Sequence, residues 1–222
     1  MRVLRSLAAM AAVALLYGPA LAADAPPPPP DPQKVAEARA AADAAITRLG
    51  LGDQFENASD GELARVRHKA SGLTCDVGDD PASFLIVVAP SQPAGDDVSC
   101  SFAAIGQTTL RAVRYAKTPT VKQALATAIE GLSGDVERVQ LYKGPSISAM
   151  SDLTKKLQIG TLRLTGIQKG KPVFVRLSAM VIGDWVYVQK IVAPDDMATA
   201  ADLLGEIEMV LQVAELMKPE AK

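Results

Sequence analysis

The sequence predicts an α+β fold: a mostly antiparallel sheet packed by a central helix and a long C-terminal helix, with one disulfide. Three observations predict it. Residues 62–116 and 160–192 alternate apolar and polar side chains between Gly, Pro and Asp clusters, the period-two pattern of half-buried strands. Two later stretches, from Thr118 and from Asp195, carry apolar residues at three- and four-residue steps instead. The chain holds two cysteines, Cys75 and Cys100.

The N-terminus comes first. Arg2 and Arg5 precede an apolar run from Leu7 to Leu16, and Ala20-Leu21-Ala22 follows. A basic head, an apolar run too short for a bilayer and a small-residue motif read as a secretion signal cleaved after Ala22. No apolar stop-transfer run follows, so no integral membrane segment is expected after cleavage. The expected location is periplasmic or secreted, in a Gram-negative bacterium. Losing residues 1–22 removes two arginines and no acid, and moves the net charge from −2 to −4. That balance gives no global attraction to nucleic acid. "APPPPPDP", residues 25 to 32, reads as a polyproline II spacer. The expected organisation is therefore a signal over 1–22, a Pro-rich spacer over 23–32 and one domain over 33–222.

Within the domain, Val35, Ala38, Ala42, Ile46 and Leu49 predict a helix over 33–49 that stops at Gly50. Strands are expected at 62–69, 72–77, 83–88, 97–103 and 108–116. Thr118 and Pro119 read as an N-cap and first helical position, and Val121, Leu125, Ile129 and Leu132 give that helix one stripe, ended by Gly131 or Gly134. A strand is expected at 138–143. Residues 144–157 fit a loop, with or without a short helix at 152–157.

Residues 160–192 are the most informative. Lys169-Gly170 and Gly183-Asp184 read as two-residue hairpin turns, which fixes the register. Leu164 then faces Val175, Leu162 faces Leu177, Val181 faces Val186 and Ala179 faces Val188. Those residues form an aliphatic face, worth about 1.5–3 kcal/mol per buried side chain. The closing helix, with Ala200, Leu203, Leu204, Ile207, Val210, Leu211 and Ala214 in one stripe, is its expected cover.

The opposite face is chemically mixed. It carries Arg163, Arg176, Trp185, Tyr187 and Gln189, with Arg163 directly across from Arg176. Like charges across a strand pair repel unless an anion lies between them. Two readings stand. The face is open and binds a small anionic ligand or a periplasmic protein, or the first helix covers its aromatic end and acids from elsewhere pair with the arginines.

In an oxidising compartment the lone pair Cys75 and Cys100 reads as a disulfide, worth roughly 3.5 kcal/mol by chain entropy. The spacing is not C-x-x-C, which argues against thioredoxin-like chemistry. His68, the only histidine, lies among Arg65, Arg67 and Lys69 in what reads as a solvated strand edge. With Ser71 it offers a hydrolase-type pair, although no G-x-S-x-G elbow, P-loop or H-E-x-x-H occurs. Asp76, Asp79, Asp80, Asp96 and Asp97 flank the cysteines and suggest a calcium-stabilised alternative without EF-hand spacing. No metal or other cofactor is expected on the first reading.

The order of elements adds one comparison. Strands, a central helix, the meander "TLRLTGIQKGKPVFVRLSAMVIGDWVYVQKIVAP" and a long helix opening at "DD" resemble the photosystem II extrinsic subunit PsbP and its bacterial relatives over about residues 108 to 217. The resemblance implies an α/β/α sandwich and a non-enzymatic accessory or binding role, with no site carried over. The expected function is thus a periplasmic, non-enzymatic binding or accessory protein.

Overall fold

The computed structural model describes residues 29–77, 84–90, 93–103, 105–132, 134–145 and 158–217. Residues 31–222 group by their contacts into one compact unit. The signal, nearly all of the spacer and the short helix considered at 152–157 lie outside the described residues.

The first helix, α1 (Pro32–Leu49), begins one residue earlier than expected. Asp31 is its N-cap, accepting from the Gln33 amide, and Pro32 occupies the first position, where its missing N–H costs nothing. Gly50 closes it at φ +66, a left-handed conformation that suits glycine. Three short strands follow: β1 (Phe55–Asn57), β2 (Arg65–His68) and β3 (Thr74–Asp76). They form a separate antiparallel sheet in that order. β1 was not expected from sequence, because three residues are too few to show alternation.

The large sheet contains β4 (Leu85–Val88), β5 (Asp97–Ala103), β6 (Gln107–Arg114), β7 (Glu137–Leu141), β8 (Gly160–Gln168), β9 (Lys171–Ile182) and β10 (Trp185–Pro194). Its order is β4-β5-β6-β10-β9-β8-β7, and every described pairing is antiparallel. The meander has the expected register, with Leu164 opposite Val175, Arg163 opposite Arg176 and Trp185 opposite Ile182. Both turns take the positive φ that tight hairpins require, at Lys169 and Gly170 and again at Gly183.

Helix α2 (Val121–Glu130) starts at Thr120, not at Thr118-Pro119. Thr120 and Gln123 form a reciprocal capping box, which satisfies two backbone donors where Pro119 supplies none. Gly131 ends the helix. A single 3-10 turn, Asp195–Met197, leads into α3 (Ala198–Leu216).

The two long faces of the sheet are covered differently from expectation. The aliphatic face of β8, β9 and β10 packs against α2, where Leu164, Val175, Leu177, Ala179 and Val186 meet Ala124 and Leu125. The closing helix α3 lies on the opposite, mixed face. Beside it the small sheet covers the rest of that face, so that Phe55, Val66 and Leu73 share a core with Ile86, Val98, Leu110, Met180, Trp185 and Tyr187. The disulfide between Cys75 of β3 and Cys100 of β5 ties the two sheets together.

Helix α3 is also rotated relative to the sequence expectation. Ala201, Asp202, Gly205, Glu206, Met209, Gln212 and Val213 face inward and are buried. Leu203, Ile207 and Leu211 of the anticipated core stripe face solvent. The physical reason is the arginine pair beneath. A buried guanidinium without a counter-charge costs more than an exposed leucine, so the carboxylates turn in and the leucines turn out.

Candidate binding groove

The mixed face was the expected recognition surface. Arg176 is 1% exposed, Gln189 and Tyr187 are equally sealed, and Trp185 is buried. Only Arg163 reaches the surface, with its side chain 20% exposed. The face is interior, and this corrects the reading of it as open.

The arginine pair is compensated rather than free. Asp202 Oδ1 accepts from Arg163 Nε at 2.7 Å and from Arg176 Nε at 3.1 Å. Arg176 Nη2 donates to Glu206 Oε2 at 2.9 Å, and its Nη1 donates to Ser178 and Gln189. Gln189 in turn donates to Glu208 at 2.8 Å. Burial pulls the Arg176 pKa down, opposed by the charges of Asp202 and Glu206. Burial also raises Glu208 to about 7. Four of the five N–H donors of the central guanidinium are spent on protein partners and its charge is met by Asp202 and Glu206, so the network is a structural bracket.

His68 and Ser71 do meet. His68 Nδ1 lies 2.9 Å from Ser71 Oγ and accepts from the Ser71 amide at 3.3 Å. The expectation of a solvated strand edge is corrected, because His68 is 1% exposed and packs beside Phe55 and Trp185. Burial lowers its pKa to about 4 and holds the ring neutral. Ser71 Oγ also accepts from the Leu73 amide, and Tyr187 donates to the Ser71 carbonyl. With Ser71 buried as well, the pair is enclosed and fixes the β2–β3 turn.

The aspartates near the disulfide are paired where they are described. Arg65 binds Asp76, Arg114 binds Asp96 and Arg111 binds Asp97. Asp79 and Asp80 lie outside the described residues. Among the described residues no group of three potential ligands gathers to hold a metal ion.

An accessible hollow lies on the other side of the sheet. Helix α2 is only ten residues long and packs on β8, β9 and β10. Past its edge the same face of β6, β5 and β4 continues without a helix, leaving Leu85 and Val87 exposed. A groove of about 390 Å³ runs in the angle between helix and open sheet. Leu177, Val186, Val188 and Val113 line its floor, and Ala124, Thr127, Ala128 and Gly131 form its wall. The small side chains of α2 on this side make the hollow. Lys190 stands at the groove with Asp135 at 3.8 Å, a loose pairing. Arg111 is held more tightly by both oxygens of Asp97, which raises its pKa. The size is that of a small-molecule site.

The groove residues escaped the sequence reading. Val186 and Val188 were placed on the core side and assigned to the closing helix. The available signal was length: a ten-residue helix spans about 15 Å and cannot cover seven strands spaced about 4.8 Å apart.

The chain matches no family model. It also matches no curated protein. Among solved structures it is similar to a protein of unknown function, PA94, from Pseudomonas aeruginosa, at 13% identity and a TM-score of 0.30, covering 72% of this chain and 99% of that one. Among the described residues no helix is long and apolar enough to cross a membrane.

Proposed function

We propose that this protein is an exported, non-enzymatic binding module whose ligand occupies the groove beside α2. The observation that carries the reading is the groove itself, an apolar floor about 390 Å³ in volume with a loosely paired lysine at its margin. That chemistry suits a small ligand with an apolar body and one anionic end, the body against Val186 and Val188 and the anion at Lys190. Export to a periplasm is supported by the basic head, apolar run and A-x-A motif together with the Cys75–Cys100 bridge. The PsbP-like order of elements points the same way.

The test is a titration with an anionic apolar probe, 8-anilinonaphthalene-1-sulfonate or a medium-chain fatty acid, followed by fluorescence or calorimetry. One saturable site is expected. Ala128→Trp, which fills the groove, abolishes it, and Lys190→Gln weakens it about ten-fold. Absence of saturable binding, or binding unchanged by Ala128→Trp, removes the proposal.

A further inference from the structure

The strands past the edge of α2 carry a second chemistry on the face that floors the groove. Register sets Ser99 of β5 opposite Arg111 of β6, Arg111 opposite Val188 of β10, and Thr109 of β6 opposite Lys190 of β10. Residues directly opposite share a face of the sheet, and so do residues two apart along one strand. Ser99, Thr109, Arg111 and Lys190 therefore form one polar block over three neighbouring strands and two adjacent rows, and all four line the groove. Strands about 4.8 Å apart and same-face residues about 7 Å apart along a strand set these side chains around a single seat. The apolar floor at Val186 and Val188 adjoins it.

What each group still has to offer defines the occupant. Arg111 gives Nε and Nη2 to Asp97 at 2.8 and 2.6 Å, and its Nη1 has no partner among the described residues. Asp97 lies opposite Val113, one row beyond Ser99, so it orients the guanidinium from outside the seat. Lys190 meets Asp135 only at 3.8 Å, and that carboxylate is mostly exposed and free to turn into water. Thr109 Oγ1 shares a 3.0 Å hydrogen bond with Ser101 and keeps capacity for another, and Ser99 adds a second hydroxyl. A carboxylate brings two oxygens and a single charge, which one cation answers. A phosphate monoester brings three free oxygens and a charge of about −1.5 to −2 at neutral pH, which matches two cations flanked by two hydroxyls.

We infer that the anionic end of the groove's ligand is a phosphate monoester, held by Arg111, Lys190, Ser99 and Thr109 while its apolar chain lies on Val186 and Val188 against α2. This rests on the proposed use of the groove as a ligand site and adds the chemistry of the head. Asp97 holds the arginine in place before the ligand arrives, and the loose Asp135 gives up Lys190 to it.

Calorimetric titration of the purified protein with decyl phosphate, decanoate and inorganic phosphate, the decyl compounds below their micelle-forming concentrations, tests this. One saturable site is expected, with decyl phosphate at least about ten-fold tighter than decanoate. Inorganic phosphate should displace decyl phosphate only at far higher concentration, because it lacks the chain. Arg111→Gln should remove most of the preference for phosphate over carboxylate. Ser99→Ala, which changes no charge and leaves the Arg111–Asp97 pair intact, should lower that preference about three-fold. An unchanged melting temperature confirms that each variant folds. Equal affinity for the two decyl compounds, or a preference indifferent to both substitutions, overturns the inference and leaves the groove as a site for other apolar anions. Inorganic phosphate binding as tightly as decyl phosphate overturns it in favour of a free phosphate. No saturable binding of either decyl compound overturns the groove reading and this inference with it.

Discussion

Leu164, Val175 and Leu177 point to one side of the central ribbon, where α2 meets them with Ala124 and Leu125. Arg163, Arg176 and Ser178 point to the other, where α3 meets them with Asp202 and Glu206. Contact on the first side is non-directional, and any short apolar helix of suitable shape would serve there. On the second side it is directional. Two guanidiniums and two carboxylates fix how α3 is rotated, even though that rotation leaves leucines in water. The ionic face is therefore the one that specifies a unique docking, and the aliphatic face contributes area.

The largest expected effect comes from breaking the ionic side. Asp202→Ala removes the carboxylate shared by Arg163 and Arg176 and should cost about 3–5 kcal/mol in urea unfolding. Leu164→Ala on the aliphatic side should cost about 2–4 kcal/mol. A smaller loss for Asp202→Ala than for Leu164→Ala would reverse the comparison.

A second expectation concerns pH, because buried titratable groups lie on the α3 side and the α2 cluster is wholly apolar. His68 is held at about 4, below its ordinary 6.5, so its contribution is complete above about 6.5 and is lost as pH falls toward 4. The loss is on the order of 2–3 kcal/mol. Glu208 is held at about 7, above its ordinary 4.5, so its contribution is complete below about 4.5 and is lost as pH rises through 7. Urea midpoints measured from pH 4 to 8 should decline at both ends. The two groups oppose each other between about 4.5 and 6.5, so both declines are shallow; Glu208→Gln should remove the one on the neutral side and deepen the one on the acid side, and a profile unaltered by it would detach Glu208 from the effect.

The smallest effect sharpens how closely α3 sits on the arginines. A Cβ at Gly205 would lie 2.7 Å from Ile191 Cδ1 and 2.8 Å from Arg176 Cδ. Gly205→Ala should therefore destabilise by about 1–2 kcal/mol despite alanine's better helix propensity. A stabilised variant in thermal melts would mean that the helix stands further off.

The strand register was legible because two turns fix it. Lys169-Gly170 and Gly183-Asp184 each allow one tight reversal, and alternation then assigns every side chain of the meander to a face. Which helix covers which face was not legible from hydrophobic spacing. Both helices carry an apolar stripe, and the stripe of α3 is the broader one. The deciding signal was present but quieter: Asp202 and Glu206, four residues apart around Gly205, match the two arginines that face each other across β8 and β9. His68 looked solvated because its neighbours in sequence are charged. In a strand those neighbours alternate with it, and they point outward while it points in.

The counter-charges for Arg163 and Arg176 are supplied by residues 202 and 206, late in the chain. A chain emerging N-terminus first completes its hairpins while both guanidiniums still need water around them. The sheet cannot dry on that side until α3 docks, so the folding chain keeps one wet flank until residues 202 to 206 are in place.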